Sequence, residues 1–88
     1  MSELRQIMVV EDDSFTRSTL CAALRSLGFN VVAESGSSRE ALLLGKTHLP
    51  SAALIDLDLG KGPTGIDLAI ALRQIKPAIG IVFLTSYD

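Results

Sequence analysis

Two short clusters of acids follow apolar runs. Ile7-Met8-Val9-Val10 leads into Glu11-Asp12-Asp13, and Ala52-Ala53-Leu54-Ile55 leads into Asp56-Leu57-Asp58-Leu59-Gly60. A third apolar run, Ile79 to Leu84, ends in Thr85-Ser86. A carboxylate at the end of an otherwise buried strand costs free energy unless something pairs with it or uses it. If the three runs are parallel strands lying side by side, their ends share one rim that carries several carboxylates and a hydroxyl. Hard oxygen ligands in small number suit Mg²⁺, which keeps several of its waters. Carboxylates packed closely repel one another, and a bound cation relieves that repulsion. A carboxylate in such a place can attack a phosphoryl phosphorus and form an acyl phosphate, provided that positive charge and hydrogen-bond donors offset the charge that develops.

Each of these residues also has a plainer reading. Glu11-Asp12-Asp13 could be a solvated turn, with Asp13 helping to start the next helix. Asp56 could cap or turn, although the four apolar residues before it argue against that. Thr85 could be an ordinary β-favouring residue. Asp58 reads as a loop acid with an outward side chain. His48 reads as a surface residue, and Cys21 as a small packing residue in the first helix. Yet five of the 10 acids (Glu11, Asp12, Asp13, Asp56 and Asp58) fall in the two clusters, a concentration that solubility does not require.

The elements that would position them alternate. Arg5 to Val10 reads as a strand apolar on both faces, the signature of a central parallel strand. Ser14 is placed to cap a helix running to Leu27, with Leu20, Ala23, Leu24 and Leu27 as its apolar stripe. Gly28 sits where a residue of positive φ ends a helix. Phe29 to Glu34 is a shorter, more polar strand suited to an edge. Ser37 and Glu40 have capping-box spacing for a second helix to about Thr47. Pro50 separates it from a third strand, Ser51 to Asp56. Lys61 to Gly65 is a loop by composition. Thr64 and Asp67 then repeat the capping-box spacing, and Leu68, Leu72 and Ile75 form the stripe of a third helix that Pro77 stops. Ala78 to Leu84 is the fourth strand. This alternation implies right-handed βαβ crossovers and a parallel sheet. Such sheets bind ligands beyond the carboxyl ends of their strands, which is where the acids lie.

Composition narrows the function classes. The 88 residues allow a single domain with a modest core. Hydrophobic residues make up 48% and charged residues 20%, which argues against disorder. A net charge of −2 with no basic run argues against direct nucleic-acid binding. The apolar runs are too short to span a bilayer. The N-terminus has no long apolar segment of the signal-peptide kind. One cysteine cannot form an internal disulfide, which suits the cytoplasm.

Taken in order, Ile7 to Asp13, Ala53 to Asp58, Gly62 to Gly65 and Val82 to Ser86 resemble a bacterial response-regulator receiver domain. The resemblance covers essentially the whole chain. It implies an α/β, flavodoxin-like, doubly wound parallel sheet, here with strand order 2-1-3-4. It implies that Asp56 is the phosphoacceptor, taking a phosphoryl group from the histidine of a sensor histidine kinase. Glu11 and Asp12 match the family's acidic pair, so the Mg²⁺ ligands would be Glu11, Asp12, Asp56 and the Asp58 backbone carbonyl, with Asp13 outside the set. Thr85 matches the hydroxyl that hydrogen-bonds the phosphoryl group and switches. Gly65 matches the glycine that opens the third helix. The domain, 1–88, would be a phosphoacceptor switch and not an enzyme. It would lie in the cytoplasm, with no membrane contact, and reach DNA only through an effector domain that this chain does not contain.

The departure lies after the fourth strand. Receivers of this family continue with a fourth helix, a fifth strand and a fifth helix. The fifth strand brings a lysine to the phosphoryl oxygens and an aromatic residue that moves with the hydroxyl. Lys46, Lys61, Lys76 and Tyr87 do not stand in those places. The expectation is therefore a C-terminally incomplete receiver, part of a longer regulator. Its fourth strand would be an uncovered edge inviting a dimer or swapped contact, and its site would lack one fixed positive charge. Two other readings stay open. Leu54-Ile55-Asp56-Leu57-Asp58 also fits the Asp-x-Asp motif of haloacid-dehalogenase-like phosphatases, although Glu11-Asp12-Asp13 would then be unexplained. The chain could also be a receiver-like interaction module that is never phosphorylated.

Overall fold

A computed structural model describes residues 6–60 and 62–85. Seven elements alternate: β1 (Gln6–Val10), α1 (Ser14–Ser26), β2 (Asn30–Ser35), α2 (Ser38–His48), β3 (Ala52–Asp56), α3 (Gly65–Ile75) and β4 (Gly80–Leu84). The strands form one parallel sheet in the order β2-β1-β3-β4. The parallel sheet is the one expected from the alternation, and the flavodoxin-like strand order is the one the resemblance implies.

The pleat sorts the apolar side chains to two faces. Met8 and Val10 of β1 and Ala53 and Ile55 of β3 pack with Ala41 of α2 and with Leu68 and Leu72 of α3. Ile7 and Val9 pack on the other face with Leu20, Cys21 and Leu24 of α1. With neighbours on both edges and helices on both faces, Met8, Val9 and Val10 are fully buried. This is why β1 reads as a continuous apolar run and not an alternating one.

The helix ends show where local chemistry decided the structure. Asp13, not Ser14, caps α1: the Asp13 Oδ2 accepts from the Thr16 N–H at 2.8 Å and from the Thr16 hydroxyl at 2.7 Å. Ser14 is the first helical residue. An acid that accepts the N3 amide meets the positive end of the helix dipole as well as an orphan donor. The buried stripe of α1 also differs from expectation. It runs through Arg17, Leu20, Cys21 and Leu24, while Ala23 is exposed and Leu27 lies past the helix end, 69% exposed. Leucines 20 and 24 were common to both registers, and contact with the sheet selected Cys21 over Ala23. Gly28 closes α1 as expected, with φ 92°. The Gly28 N–H donates to Arg25 O and the Phe29 N–H to Leu24 O, each at 3.0 Å, the paired bonds of a Schellman close.

At α2 only half of the expected box forms. Ser37 Oγ accepts from the Glu40 N–H at 3.2 Å, but the Glu40 carboxylate accepts from Ser35 Oγ at 2.6 Å instead of reaching back to Ser37. At α3 the Thr64–Asp67 box is complete. α2 and α3 approach closely because Gly45 has no side chain: a Cβ there would stand 2.5 Å from Leu72 Cδ2. β4 is an edge strand among the described residues, with Val82 52% and Phe83 41% exposed on opposite faces. Arg5, Lys61, Ser86 and Tyr87 lie outside the described residues.

Candidate functional site

Strand register brings the acids together. Val10 lies opposite Ile55, and Asp56 lies opposite Leu84. Glu11 and Asp56 therefore leave the sheet side by side, and Thr85 follows one residue beyond Leu84 on the next strand. Glu11, Asp12 and Asp56 each offer a carboxylate oxygen, and these oxygens all lie within 4.8 Å of one another. They line a cleft of about 460 Å³ together with Asp58, Leu84 and Thr85.

Each acid is held differently. Glu11 is buried. Its N–H donates to Ser35 O at 3.0 Å, and its Oε2 accepts from the Asp13 N–H at 3.1 Å. Burial, and then the adjacent Asp56 carboxylate, raise the Glu11 pKa above its ordinary value, only partly opposed by the Asp13 N–H. Asp56 Oδ1 accepts from the Asp58 N–H at 3.0 Å, while the Leu57 N–H donates to Leu84 O at 3.1 Å and ties this turn to β4. The Asp58 carboxylate turns to the loop and accepts from the Gly60 N–H at 3.1 Å. It is exposed, as its plainer reading held for the side chain. Asp13 faces its own helix, and the Thr16 hydroxyl and N–H hold its pKa below the ordinary value. It thus caps α1, and Thr16 accounts for its charge.

The donor set fits a hard divalent cation. Three carboxylates converge, one of them buried and reluctant to ionise beside its neighbours. Among the described residues the ion pairs join Arg17 and Arg25 to Glu34, and none neutralises Glu11, Asp12 or Asp56. Lys76 donates to Leu49 O at 2.9 Å and Lys46 lies in the last turn of α2, so both are at the opposite end of the sheet.

A family model described as the response regulator receiver domain matches residues 7–88. The chain belongs to the response-regulator receiver family. Among its curated relatives is the transcriptional regulatory protein PdtaR of Mycobacterium tuberculosis, 34% identical over 86 residues, an alignment that spans 96% of this chain and 40% of PdtaR. Among solved structures, the receiver of a modulated diguanylate cyclase from Desulfovibrio desulfuricans G20 superposes with a TM-score of 0.86 at 29% identity, covering 94% of this chain and 66% of that one. The response regulator PhyR from Brucella abortus superposes with a TM-score of 0.85 at 27% identity, covering 98% of this chain and 37% of that one. The receiver chain thus spans about two-fifths of the length of the curated relative PdtaR.

Two supports of the receiver's site went unread in the sequence. Arg17 Nη1 donates to the Glu11 carbonyl at 2.6 Å. Its signal was a basic residue on the same stripe as Leu20 and Leu24. The other is a steric role for Gly65. A Cβ there would overlap the Asp56 carbonyl oxygen and stand 3.1 Å from both Asp56 C and Ile55 Cγ2. The start of α3 is therefore seated directly on the backbone of Asp56, and no sequence spacing indicates that.

Proposed function

We propose that this receiver accepts a phosphoryl group on Asp56 from the phosphohistidine of a sensor histidine kinase and passes the change to an effector that controls transcription. The observation that carries this reading is the convergence of Glu11, Asp12 and Asp56 within one cleft that Thr85 also lines. The Asp58 N–H donates to Oδ1 of Asp56 and orients the carboxylate whose oxygen attacks the phosphorus. A new O–P bond forms as the P–N bond breaks, and the departing imidazole nitrogen keeps the electron pair and takes up a proton. Thr85 then donates its hydroxyl hydrogen bond to the phosphoryl group and shifts the segment after β4. Glu11, Asp12, Asp56 and the Asp58 carbonyl would hold Mg²⁺, whose charge offsets the repulsion between carboxylate and phosphoryl oxygens. The chain acts once per phosphoryl group, as a switch and not a turnover enzyme.

This reading implies a cytoplasmic protein. No described helix is long and apolar enough to cross a membrane. A second copy or a swapped element is proposed to pair with β4, which among the described residues is an edge strand with apolar side chains on both faces. A monodisperse monomer whose melt is unchanged on dilution would remove that contact. The transcriptional output is supported by the relative named a transcriptional regulatory protein.

Intact-mass analysis after incubation with Mg²⁺ and acetyl phosphate tests the core of the proposal. A phosphoryl adduct that survives Asp58→Asn and vanishes in Asp56→Asn is the expected result, and an adduct retained in Asp56→Asn would refute the assignment. Turnover of a phosphate ester abolished by Asp58→Asn would support the phosphatase reading. Absence of binding at millimolar Mg²⁺ would point to an interaction module.

A further inference from the structure

β1 stops pairing with β3 at Val10, so the Glu11 carbonyl has no partner from that strand. Arg17, one turn into α1, supplies one: its Nη1 donates to Glu11 O at 2.6 Å. The same guanidinium turns Nε toward Glu34 Oε1 of β2, 3.7 Å away. A charged donor to a neutral carbonyl makes one of the stronger hydrogen bonds available to a protein. The planar fork of arginine aims separate N–H groups in fixed directions, here at a carbonyl and toward a carboxylate, whereas an ammonium is a compact point charge on a flexible stem. The backbone opposite leaves room for it. A Cβ on Gly36 would stand 3.0 Å from Arg17 Nη1 and 3.8 Å from Asp12 Cα. Gly36 is not among the residues of positive φ, so its missing side chain answers a need for space and not a need for an unusual backbone.

The placement has a direction. Glu34 and Gly36 belong to β2 and the turn after it, on one side of β1, whereas Asp56 belongs to β3 on the other. We infer that Arg17 is a positioning residue for the acidic site: it fixes the Glu11 backbone so that the Glu11 and Asp12 carboxylates stay aimed at a divalent cation, while Glu34 keeps its own charge on the β2 side. This rests on the Mg²⁺-dependent reading given above. Arg17 touches no reacting atom. Its effect passes through Glu11, which it holds at the carbonyl while Ser35 and Asp13 hold the amide and the carboxylate.

Arg17→Lys tests this, because it keeps the charge and removes the fork. Mg²⁺ is titrated against the intact chain while the backbone amide NMR signals of Asp12 and Asp58 are followed, and the metal-free melting temperature is recorded in parallel. The expected result is a dissociation constant raised about tenfold, the lower end of what outer partners of metal ligands contribute. Gly36→Val, which pushes the guanidinium from the opposite side without altering any charge, is expected to act in the same direction and serves where Arg17→Lys does not fold. A lower melting temperature with an unchanged dissociation constant, in either variant, would make Arg17 merely structural and overturn the inference while leaving the Mg²⁺ reading intact. No shift of these signals in the unsubstituted chain would overturn the Mg²⁺ reading itself, and the inference with it.

Discussion

Gly65→Ala sets two effects of opposite sign against each other. Alanine is the better helix former, by about 1 kcal/mol in a helix interior, and Gly65 is the first residue of α3. Propensity alone would therefore raise the melting temperature. The new Cβ, however, overlaps the Asp56 carbonyl oxygen and stands 3.1 Å from the carbonyl carbon and from Ile55 Cγ2. Comfortable carbon contacts begin at about 3.5 Å. The obstacle is backbone, not the far end of a flexible side chain, so either α3 or the end of β3 has to move. Overpacking of this kind costs about 1–3 kcal/mol, more than the propensity gain over most of that range. For a domain of this size each kcal/mol shifts the melting temperature by about 4–8 °C, so a net loss of up to about 2 kcal/mol lowers it by up to about 16 °C. Because the displaced atoms belong to Asp56, the proposed acceptor, the yield of phosphoryl adduct is expected to fall further than in a variant matched for stability. Gly80→Ala is the control: its Cβ would meet Ala52 Cβ at 3.6 Å and Ser51 O at 3.7 Å, ordinary contacts, and it should melt close to the unsubstituted chain. Thermal melts by circular dichroism read both. A Gly65→Ala chain that melts at or above the parent, with unchanged adduct yield, would refute the close-approach argument.

Three more outcomes follow from the structure. Leu49 caps α2 with φ 47° and ψ 56° and is half exposed, so Leu49→Asn should relieve about 0.5–1 kcal/mol of left-handed strain and raise the melting temperature; a fall would show that the leucine side chain packs more than its exposure suggests. Glu11→Gln removes one of three crowded carboxylates, so the metal-free chain should melt higher at neutral pH while Mg²⁺ binds more weakly; a lower melt would mean that the cluster does not repel. Cys21 is buried, and burial raises its thiol pKa. Its neutral form is therefore the one that folding favours: that contribution is fully present below the ordinary thiol pKa and is lost as pH rises through the raised folded value. The parent should accordingly lose stability relative to Cys21→Ala above the ordinary thiol pKa, and alkylation of Cys21 at pH 8 should be limited by opening of the fold. Rapid alkylation without denaturant would refute that.

How much of this was legible varies by element. β1 and β3 were readable because a strand buried on both faces must be apolar throughout, and both stopped where the apolar run met an acid. Thr64 and Asp67 were readable because a capping box is local chemistry with a fixed spacing. Ser37 and Glu40 had the same spacing and formed only half a box, because Ser35 of β2 offered Glu40 a better partner. The α1 stripe was legible in part: Cys21 reads as a packing residue and is one, but Leu20 and Leu24 fit two registers, and only the sheet beneath the helix excludes Ala23. Asp13 displaced Ser14 as the cap since both are good cap residues, and only the backbone at the turn shows which of the two still has an extended conformation.

By itself the sequence determined the order of elements, the parallel sheet, and the fact that Asp56 ends a strand while Glu11, Asp12 and Thr85 follow closely after one, because these follow from periodicity and from the cost of burying unpaired charge. Tertiary structure alone decided that the three carboxylates meet within 4.8 Å, that the Arg17 guanidinium holds the Glu11 carbonyl, and that Gly65 lies against the backbone of Asp56. Those are contacts between residues distant in the chain or turned by a helix. They depend on strand register and on how closely a helix approaches the sheet, and neither quantity leaves a pattern in one strand or one helix read alone.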